Sequence, residues 1–178
     1  SSSSRGLGDV YKRQIIGLPN AGKSSLLAAM TNASPKIANY QFTTLNPNLG
    51  VAVYDDKEIT VADIPGLIEG AHKGTGLGIQ FLKHVERCKS LLHMIDITNE
   101  DIKKSYNQVK NELKKYSKKL SKKKELVVLN KIDLIDKKKM RDIVDNFSKN
   151  SKSEIITVST LEKKSISKIK AKLISYAS

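Results

Sequence analysis

The sequence has few of the residues that mark secreted, disulfide-rich or membrane proteins. The 178 residues include no tryptophan, one cysteine and four prolines, and aromatic residues make up 5% of the chain. A single cysteine cannot form an internal disulfide, which excludes a small fold held by disulfides. No apolar run approaches the length of a membrane span, and the N-terminus lacks the pattern of a signal peptide. We therefore expect a soluble, cytoplasmic, monomeric protein with one domain and no membrane partner.

Arginine is scarce as well. Four of the 32 basic residues are arginines, which leaves 28 lysines, and the net charge is +14. Proteins that read nucleic-acid sequence rely on the bidentate hydrogen bonds of arginine, so this composition argues against sequence-specific recognition. The densest lysine run spans residues 103–124, where Glu112 is the only acidic residue. A solvated helix face is the simpler interpretation of this run, and an RNA-binding patch is the alternative.

Residues 17–24 match the phosphate-binding loop pattern G-x-x-x-x-G-K-[ST]. The glycines of such a loop let backbone N–H groups turn inward around phosphates, the lysine reaches the β- and γ-phosphate oxygens, and the hydroxyl binds Mg²⁺. Lys23 and Ser24 hold these two positions. The candidate nucleotide-binding residues of this segment are Gly17, Pro19, Asn20, Ala21, Gly22, Lys23, Ser24 and Ser25.

A second motif indicates which base the bound nucleotide carries. Residues Asn130, Lys131 and Asp133 form an N-K-x-D run, and Ser159-Thr160 lie in a turn downstream of it. The carboxylate of Asp133 can accept hydrogen bonds from the ring N–H and the exocyclic amine of guanine, whereas adenine offers no matching pair of donors. The two motifs together predict a guanine-nucleotide switch that binds GTP and GDP, and the second argues against a nucleoside kinase or an ATPase.

Strand and helix patterns alternate along the chain, which predicts an α/β fold. We expect a P-loop domain with a six-stranded, mainly parallel sheet and helices on both faces, in which every motif follows the C-terminal end of a strand. The predicted strands after the first motif are 51–54, 59–63, 91–96, 126–129 and 155–158, and the predicted helices are 24–32, 79–87, one after Asp101, 137–147 and 165–176. The glycine-rich segment 64–78 is expected to be mobile.

The first fourteen residues fit poorly with a strand that leads into a phosphate-binding loop. Such a strand is buried and largely apolar, but Lys12, Arg13 and Gln14 interrupt it here. The stretch Gly6–Gln14 resembles a translated sequencing adapter. We therefore expect residues 1–14 to be a non-native leader and residues 15–178 to form the domain.

Longer segments of the sequence resemble one particular family of proteins. Residues 17–27, 39–50, 62–78 and 81–87 closely resemble the Ras-like GTPase (G) domain of the Obg family. The sequence departs from that family at Gln41, where proline is usual, and at Ser159-Thr160, where Ser-Ala is usual. The family's glycine-rich N-terminal domain is not in this chain.

The resemblance implies roles for individual residues. Thr44 joins Ser24 on Mg²⁺ when the γ-phosphate is present, and Asp63 holds that ion through water. Gly66 donates its N–H to the γ-phosphate. For Thr43 and Thr44 the alternative is turn chemistry at the start of a strand.

Catalysis departs from the Ras pattern, because Leu67 stands where a glutamine would orient water. The resemblance implies slow hydrolysis, with a potassium ion bound near Asn20 in place of an arginine finger; a turn role for Asn20 is the alternative. Glu69 and His72 are further candidates, although solvent-facing positions are the simpler interpretation for them. Lys23, Thr44, Gly66 and Asn20 are thus the candidate catalytic residues.

The resemblance also implies a biological role. It predicts a switch in assembly of the large ribosomal subunit, with the ribosome and rRNA as partners and a link to guanosine tetraphosphate (ppGpp) in stress signalling. The alternative from a different class is a nucleotide-gated RNA- or ribosome-binding module in which hydrolysis is incidental. Substitution of Thr44 separates the two, since a switch would bind but fail to be released.

Overall fold

The computed structural model describes residues 13–18, 20–31, 36–37, 48–63, 83 and 85–176. The strands are β1 (Arg13–Gly17), β2 (Lys36–Ile37), β3 (Asn48–Tyr54), β4 (Lys57–Asp63), β5 (Ser90–Asp96), β6 (Lys124–Asn130) and β7 (Glu154–Thr157). The helices are α1 (Lys23–Met30), α2 (Ile102–Tyr116), α3 (Lys118–Ser121), α4 (Lys137–Ser148) and α5 (Lys163–Ser175), with a 3-10 helix at Ile132–Leu134. Within these described ranges, no helix is long and apolar enough to cross a bilayer.

The strands form one sheet in the order β2-β3-β4-β1-β5-β6-β7. The central pairs β4·β1, β1·β5, β5·β6 and β6·β7 are parallel, and β3 runs antiparallel to β4 across a turn at Asp55-Asp56. This confirms the predicted α/β fold with a mainly parallel sheet. The two-residue strand β2 adds a seventh, antiparallel strand at the edge, within a segment that the sequence indicated as irregular.

The predicted elements differ from the observed ones mainly at their ends. Strands β3 and β6 begin earlier than predicted, because polar residues such as Asn48 and Lys124 pair with neighbouring strands although they add no apolar pattern. The predicted long helix after Asp101 is divided at Ser117, whose side chain accepts the N–H of Leu120 and so caps α3. The glycine-rich segment 64–78 and most of the predicted helix 79–87 lie outside the described residues.

Helices cover both faces of the sheet, as predicted. On one face α1 and α5 pack on the sheet through buried residues that include Leu27, Leu92 and Ile169. On the other, α2 and α3 pack on Ile16 and Leu91 through a cluster of their own, and α4 packs beside α2 at the β5–β6 end. The C-terminal edge of the parallel strands is therefore left for the loops that carry the motifs.

Strand β1 is buried along its whole length and starts with two polar residues. Arg13 and Gln14 are 0% and 2% exposed and pair in register with β4 and β5. The Arg13 guanidinium donates to the carbonyl oxygen of Leu173 at 3.3 Å. Burial lowers the pKa of Arg13. The strand that precedes the phosphate-binding loop thus forms despite its composition, while the boundary at residue 15 stays a prediction.

Replacing Arg13 with leucine is expected to lower the free energy of unfolding by about 1–3 kcal/mol, because the carbonyl oxygen of Leu173 is left inside the protein without its donor. Chemical denaturation followed by circular dichroism measures the change. The same substitution at Arg141, which is exposed on α4, is the control and should change stability by less than about 0.5 kcal/mol. An Arg13 variant that is as stable as the parent would mean that the guanidinium does not support the strand.

A buried polar network joins β5, β6 and α2. The Nδ1 atom of His93 lies 2.7 Å from Glu125 Oε1, and the hydroxyl of Tyr106 donates to Glu125 Oε2 at 2.7 Å. Lys110 Nζ is 3.6 Å from the same carboxylate. Burial by itself would raise the pKa of Glu125, but the hydrogen bond from His93 and these neighbours lower it from 4.5 to about 2. Burial lowers the pKa of His93, which keeps the ring neutral at pH 7.

Acidification is expected to destabilise the domain through this network. The carboxylate of Glu125 has a lower pKa in the folded chain, so its contribution is present above pH 4.5 and is lost as the pH falls towards 2. That contribution is on the order of 3 kcal/mol. His93 adds to the same trend below its ordinary pKa, because only the unfolded chain then takes up the proton. Urea denaturation between pH 7 and pH 2 should show a shallower pH dependence for Glu125→Gln; equal slopes would contradict the assignment.

Candidate nucleotide-binding site

The loop between β1 and α1 contains two glycines at positions that leave no room for a side chain. A Cβ on Gly17 would lie 2.6 Å from the carbonyl oxygen of Met94 in the next strand. Gly22 precedes α1 with φ of +99°, and a Cβ there would lie 2.4 Å from Asn130 Nδ2. Both positions therefore require glycine, one for close approach and one also for its backbone conformation.

Lys23 opens helix α1 and folds back over the loop. Its Nζ donates to the carbonyl oxygens of Gly17 at 2.9 Å and of Leu18 at 3.3 Å. Ser24 and Ser25 follow it in the first turn of the helix, and both are exposed. The first backbone N–H groups of a helix have no partner within it, so this end of α1 favours an anion. A flexible ammonium and a helix N-terminus thus meet at one loop.

Asp63 ends the strand next to β1. It pairs in register with Ile15 and is 2% exposed. Because β1 and β4 are parallel, Asp63 and the loop that bears Ser24 follow the same edge of the sheet. A carboxylate and a hydroxyl are the hard oxygen ligands that Mg²⁺ prefers. The residues present therefore fit the predicted magnesium site, whose third member, Thr44, lies outside the described residues.

The second motif is bonded directly to the phosphate-binding loop. Asn130 is buried at the end of β6, and its Nδ2 donates to the carbonyl oxygen of Ala21 at 3.0 Å. Lys131 Nζ donates to the carbonyl oxygen of Asn20 at 2.8 Å. Two segments about a hundred residues apart are thus held together by side-chain bonds, as their predicted shared site requires.

Asp133 remains available for a ligand. It lies in the 3-10 helix after β6, is exposed, and its side chain makes no hydrogen bond to any described residue. The backbone N–H of Ile132 donates to the carbonyl oxygen of Val158 at 3.2 Å, which fixes this turn against the loop after β7. The carboxylate is thus held on a positioned turn.

The loop after β7 is built around Ser159. Its backbone N–H donates to Ser165 Oγ at 3.1 Å, and its own Oγ accepts the N–H of Leu161 at 3.3 Å. Ser159 is fully buried and Thr160 is partly exposed. Ser159 therefore shapes the loop, and the side chain of the following residue, Thr160, is partly open to solvent.

Comparison with known proteins decides the family. Residues 13–131 match the family model described as 50S ribosome-binding GTPase. A protein named GTPase Obg from Pelagibacter ubique (strain HTCC1062) is 71% identical over 164 residues, which is 92% of this chain and 50% of that protein. The chain belongs to the Obg family of GTPases. Other Obg relatives come from Ehrlichia canis (strain Jake), 57% identical over 79% of this chain and 42% of the relative, and from Rickettsia felis, 48% identical over 87% and 47%.

This chain spans about half the length of the Obg proteins that it matches. Family membership confirms the predicted G-domain fold. Solved structures show the same fold. The G domain of the T. maritima FeoB iron transporter superposes with a TM-score of 0.60 at 20% identity, over 94% of this chain and 98% of that domain. A variant of S. thermophilus NFeoB bound to GDP gives 0.66 at 20% identity, over 93% and 61%.

The predicted site residues of this Obg domain divide into two groups. The structure brings together those of the loop and the base motif; Pro19, Thr43, Thr44, Gly66, Leu67, Glu69 and His72 lie outside the described residues. The side chain of Asn20 is exposed and its φ is +72°, so its backbone has a turn conformation whether or not the amide binds an ion.

Sequence reasoning missed Asp96 and Leu161. Asp96 Oδ2 accepts from Lys131 Nζ at 2.8 Å, so it holds the lysine that also reaches Asn20. Although burial opposes it, hydrogen bonds from Lys131 and Thr98 lower the pKa of Asp96. The position of Asp96 at the C-terminal end of a parallel strand was the available signal. Leu161, whose N–H bonds to Ser159 in the loop after β7, is 82% exposed, and no motif indicated it.

Proposed function

We propose that this chain is the G domain of a molecular switch that binds GTP and GDP and hydrolyses GTP slowly, and that acts in assembly of the large ribosomal subunit. The observation that carries the proposal is the pair of bonds from Asn130 to Ala21 and from Lys131 to Asn20, which join the phosphate loop to the base motif and leave Asp133 exposed. A site for phosphates and a carboxylate for guanine lie on one edge of the sheet.

When the phosphates of the nucleotide bind, Lys23 exchanges its hydrogen bonds. Lys23 is bonded to two loop carbonyls, and an incoming phosphate replaces these neutral acceptors with an anionic one, which adds charge–charge attraction to the hydrogen bond. Ser24, Asp63 and Thr44 would hold Mg²⁺, which would neutralise charge on the phosphates. The N-terminus of α1 favours the same charge. These groups orient GTP and stabilise the charge that develops on hydrolysis.

In the proposal, hydrolysis is slow because of the residues near the attacking water. Leu67 has no group to orient water, so in the proposal the backbone of the segments around Thr44 and Gly66 does so. The exposed amide of Asn20 would contribute to binding a potassium ion, which would offset negative charge on the phosphates. Loss of the γ-phosphate removes the contacts of Thr44 and Gly66. In the proposal, this loss releases the segments around these two residues and so switches the protein between its GTP and GDP states.

The proposal also includes the ribosome and rRNA as partners of this protein. The family model that matches this chain is described as ribosome-binding, and the net charge of +14 suits rRNA. The proposed site would also accept ppGpp, which carries the same base and a 5′-diphosphate. We place the protein in the cytoplasm, where ribosomes assemble, and propose that the chain is a monomer.

Nucleotide binding and turnover in KCl and in NaCl test the proposal, with ATP as the competing nucleotide. We expect GTP to bind selectively and to turn over about tenfold faster in potassium, which corresponds to about 1.4 kcal/mol in the barrier. The matched variant Asn20→Gly keeps the positive φ and removes the amide, so it should bind GTP and lose the potassium effect. Equal binding of ATP would overturn the base assignment; equal rates in both salts would overturn the role of Asn20.

A further inference from the structure

The exposed face of α2 has an unusual composition. Seven residues of this helix are exposed, and all are lysines or carboxamides: Lys103, Lys104, Asn107, Gln108, Asn111, Lys114 and Lys115. By contrast, α4 exposes Asp142 and Asp145 among its basic residues. Lysine, asparagine and glutamine side chains are typical donors to phosphate oxygens of nucleic acids. A surface of hydrogen-bond donors without a carboxylate fits a polyanionic backbone.

Two of the three acidic residues near this face are already engaged; the third, Glu100, is exposed just before α2. Asp101 caps α2 and accepts the backbone N–H of Lys104 at 2.9 Å. Glu112 lies at the border of the face and pairs with Lys115 at 3.5 Å. Lys103, Lys104 and Lys114 make no ion pair with any described carboxylate, so their charge is available to a ligand.

A cavity of about 490 Å³ opens beside the N-terminal half of this face, between α2 and α4. Its lining includes the carboxamides of Asn107, Asn146 and Asn150, the apolar side chains of Ile97, Ile143 and Phe147, and the carboxylate of Glu100. The ring of Phe147 is set edge-on to Tyr106, with 5.4 Å between the ring centres, which fixes its orientation. This volume is within the range of small-molecule sites, and amides around an apolar and aromatic interior suit a planar base with polar edges.

The cavity and the lysine face are continuous. A shallow groove along α2 shares Asp101, Lys103 and Asn107 with the cavity. We propose that this surface binds single-stranded RNA, with the backbone along the exposed face of α2 and one unpaired base in the cavity. A duplex would satisfy the lysines but could not place a base between the helices. The choice of RNA over other polyanions rests on the proposed ribosomal role, whereas the site itself is separate from the loop and base motif.

Fluorescence anisotropy with a labelled single-stranded RNA of about 12 nucleotides tests the proposal. The variant Lys103→Gln/Lys104→Gln/Lys114→Gln is expected to bind about tenfold more weakly at low salt and to lower the slope of log affinity against log salt by about two, since each phosphate contact contributes about 0.7. The control Lys163→Gln/Lys164→Gln/Lys168→Gln removes the same charge from the exposed side of α5. It should leave the affinity within about twofold of the parent.

A second variant tests the role of the cavity. Asn107→Ala/Asn146→Ala removes two exposed amides from helices without disturbing the core. It should weaken binding of the RNA about tenfold, leave binding of an RNA with abasic sites unchanged and keep the salt slope. Equal losses for intact and abasic RNA, a duplex that competes as well as the single strand, or no effect of either variant overturns the proposal. Binding of fluorescent GDP to each variant separates this result from failure of the switch.

Discussion

Replacing Gly22 with alanine is expected to abolish binding of guanine nucleotides, with a loss of affinity of about 100-fold or more. The φ of +99° strains any residue with a side chain, at a cost of about 1–3 kcal/mol. The new methyl group would also lie 2.4 Å from Asn130 Nδ2, so either the loop or Asn130 has to move. Because the amide of Asn130 is what holds Ala21, the substitution damages the loop and the base motif together.

Titration with fluorescent GDP measures this loss, and thermal unfolding measures its structural cost. Ala29→Gly is the matched control, because Ala29 is exposed on α1 near the end of the helix that is remote from the loop. It should cost about 1 kcal/mol of stability and leave nucleotide binding intact. If Gly22→Ala bound GDP as the parent does, the loop conformation described for Gly22 would not be the one that binds phosphate.

The parts of this site that follow from local chemistry could be predicted from the sequence. Gly22, Lys23 and Ser24 were predicted because a phosphate loop needs those residue types at that spacing, and the strands followed from apolar runs such as Leu126–Leu129. The site also lies at the sheet edge expected from the motif positions. These features depend on neighbours in the chain, which a sequence pattern records.

Features that depend on tertiary contacts could not be predicted. The polar residues Arg13 and Gln14 argued against a strand, yet pairing with β4 and β5 on both sides holds them in β1. Nothing near Asp96 in the sequence indicated its bond to Lys131, since the partners are 35 residues apart. The edge strand β2 has two residues, too few to show a period. In each case the partner that fixes the residue is distant in sequence.

Asp133→Asn is expected to change the preferred base from guanine to xanthine. The carboxylate accepts from two N–H groups of guanine, whereas a carboxamide offers one acceptor and one donor, which match the ring N–H and the carbonyl oxygen of xanthine. Each hydrogen bond to a charged group is worth about 1.5–3 kcal/mol, so the affinity for GDP should fall about 100-fold or more and that for xanthosine diphosphate should rise. Competition of the two nucleotides against a fluorescent analogue measures both affinities.

The position of Asp133 makes this substitution a test of recognition rather than of folding. Its side chain is exposed and bonds to no described residue, so its loss should not disturb the chain without ligand. Asp136→Asn three residues away removes the same charge from the residue that caps α4 through the N–H of Lys139 at 2.7 Å. It should leave the preference for guanine unchanged, since asparagine also caps helices. If Asp133→Asn weakened both nucleotides equally, the carboxylate would be shaping the turn, and the base would have to be read by the loop of Ser159 and Thr160 instead.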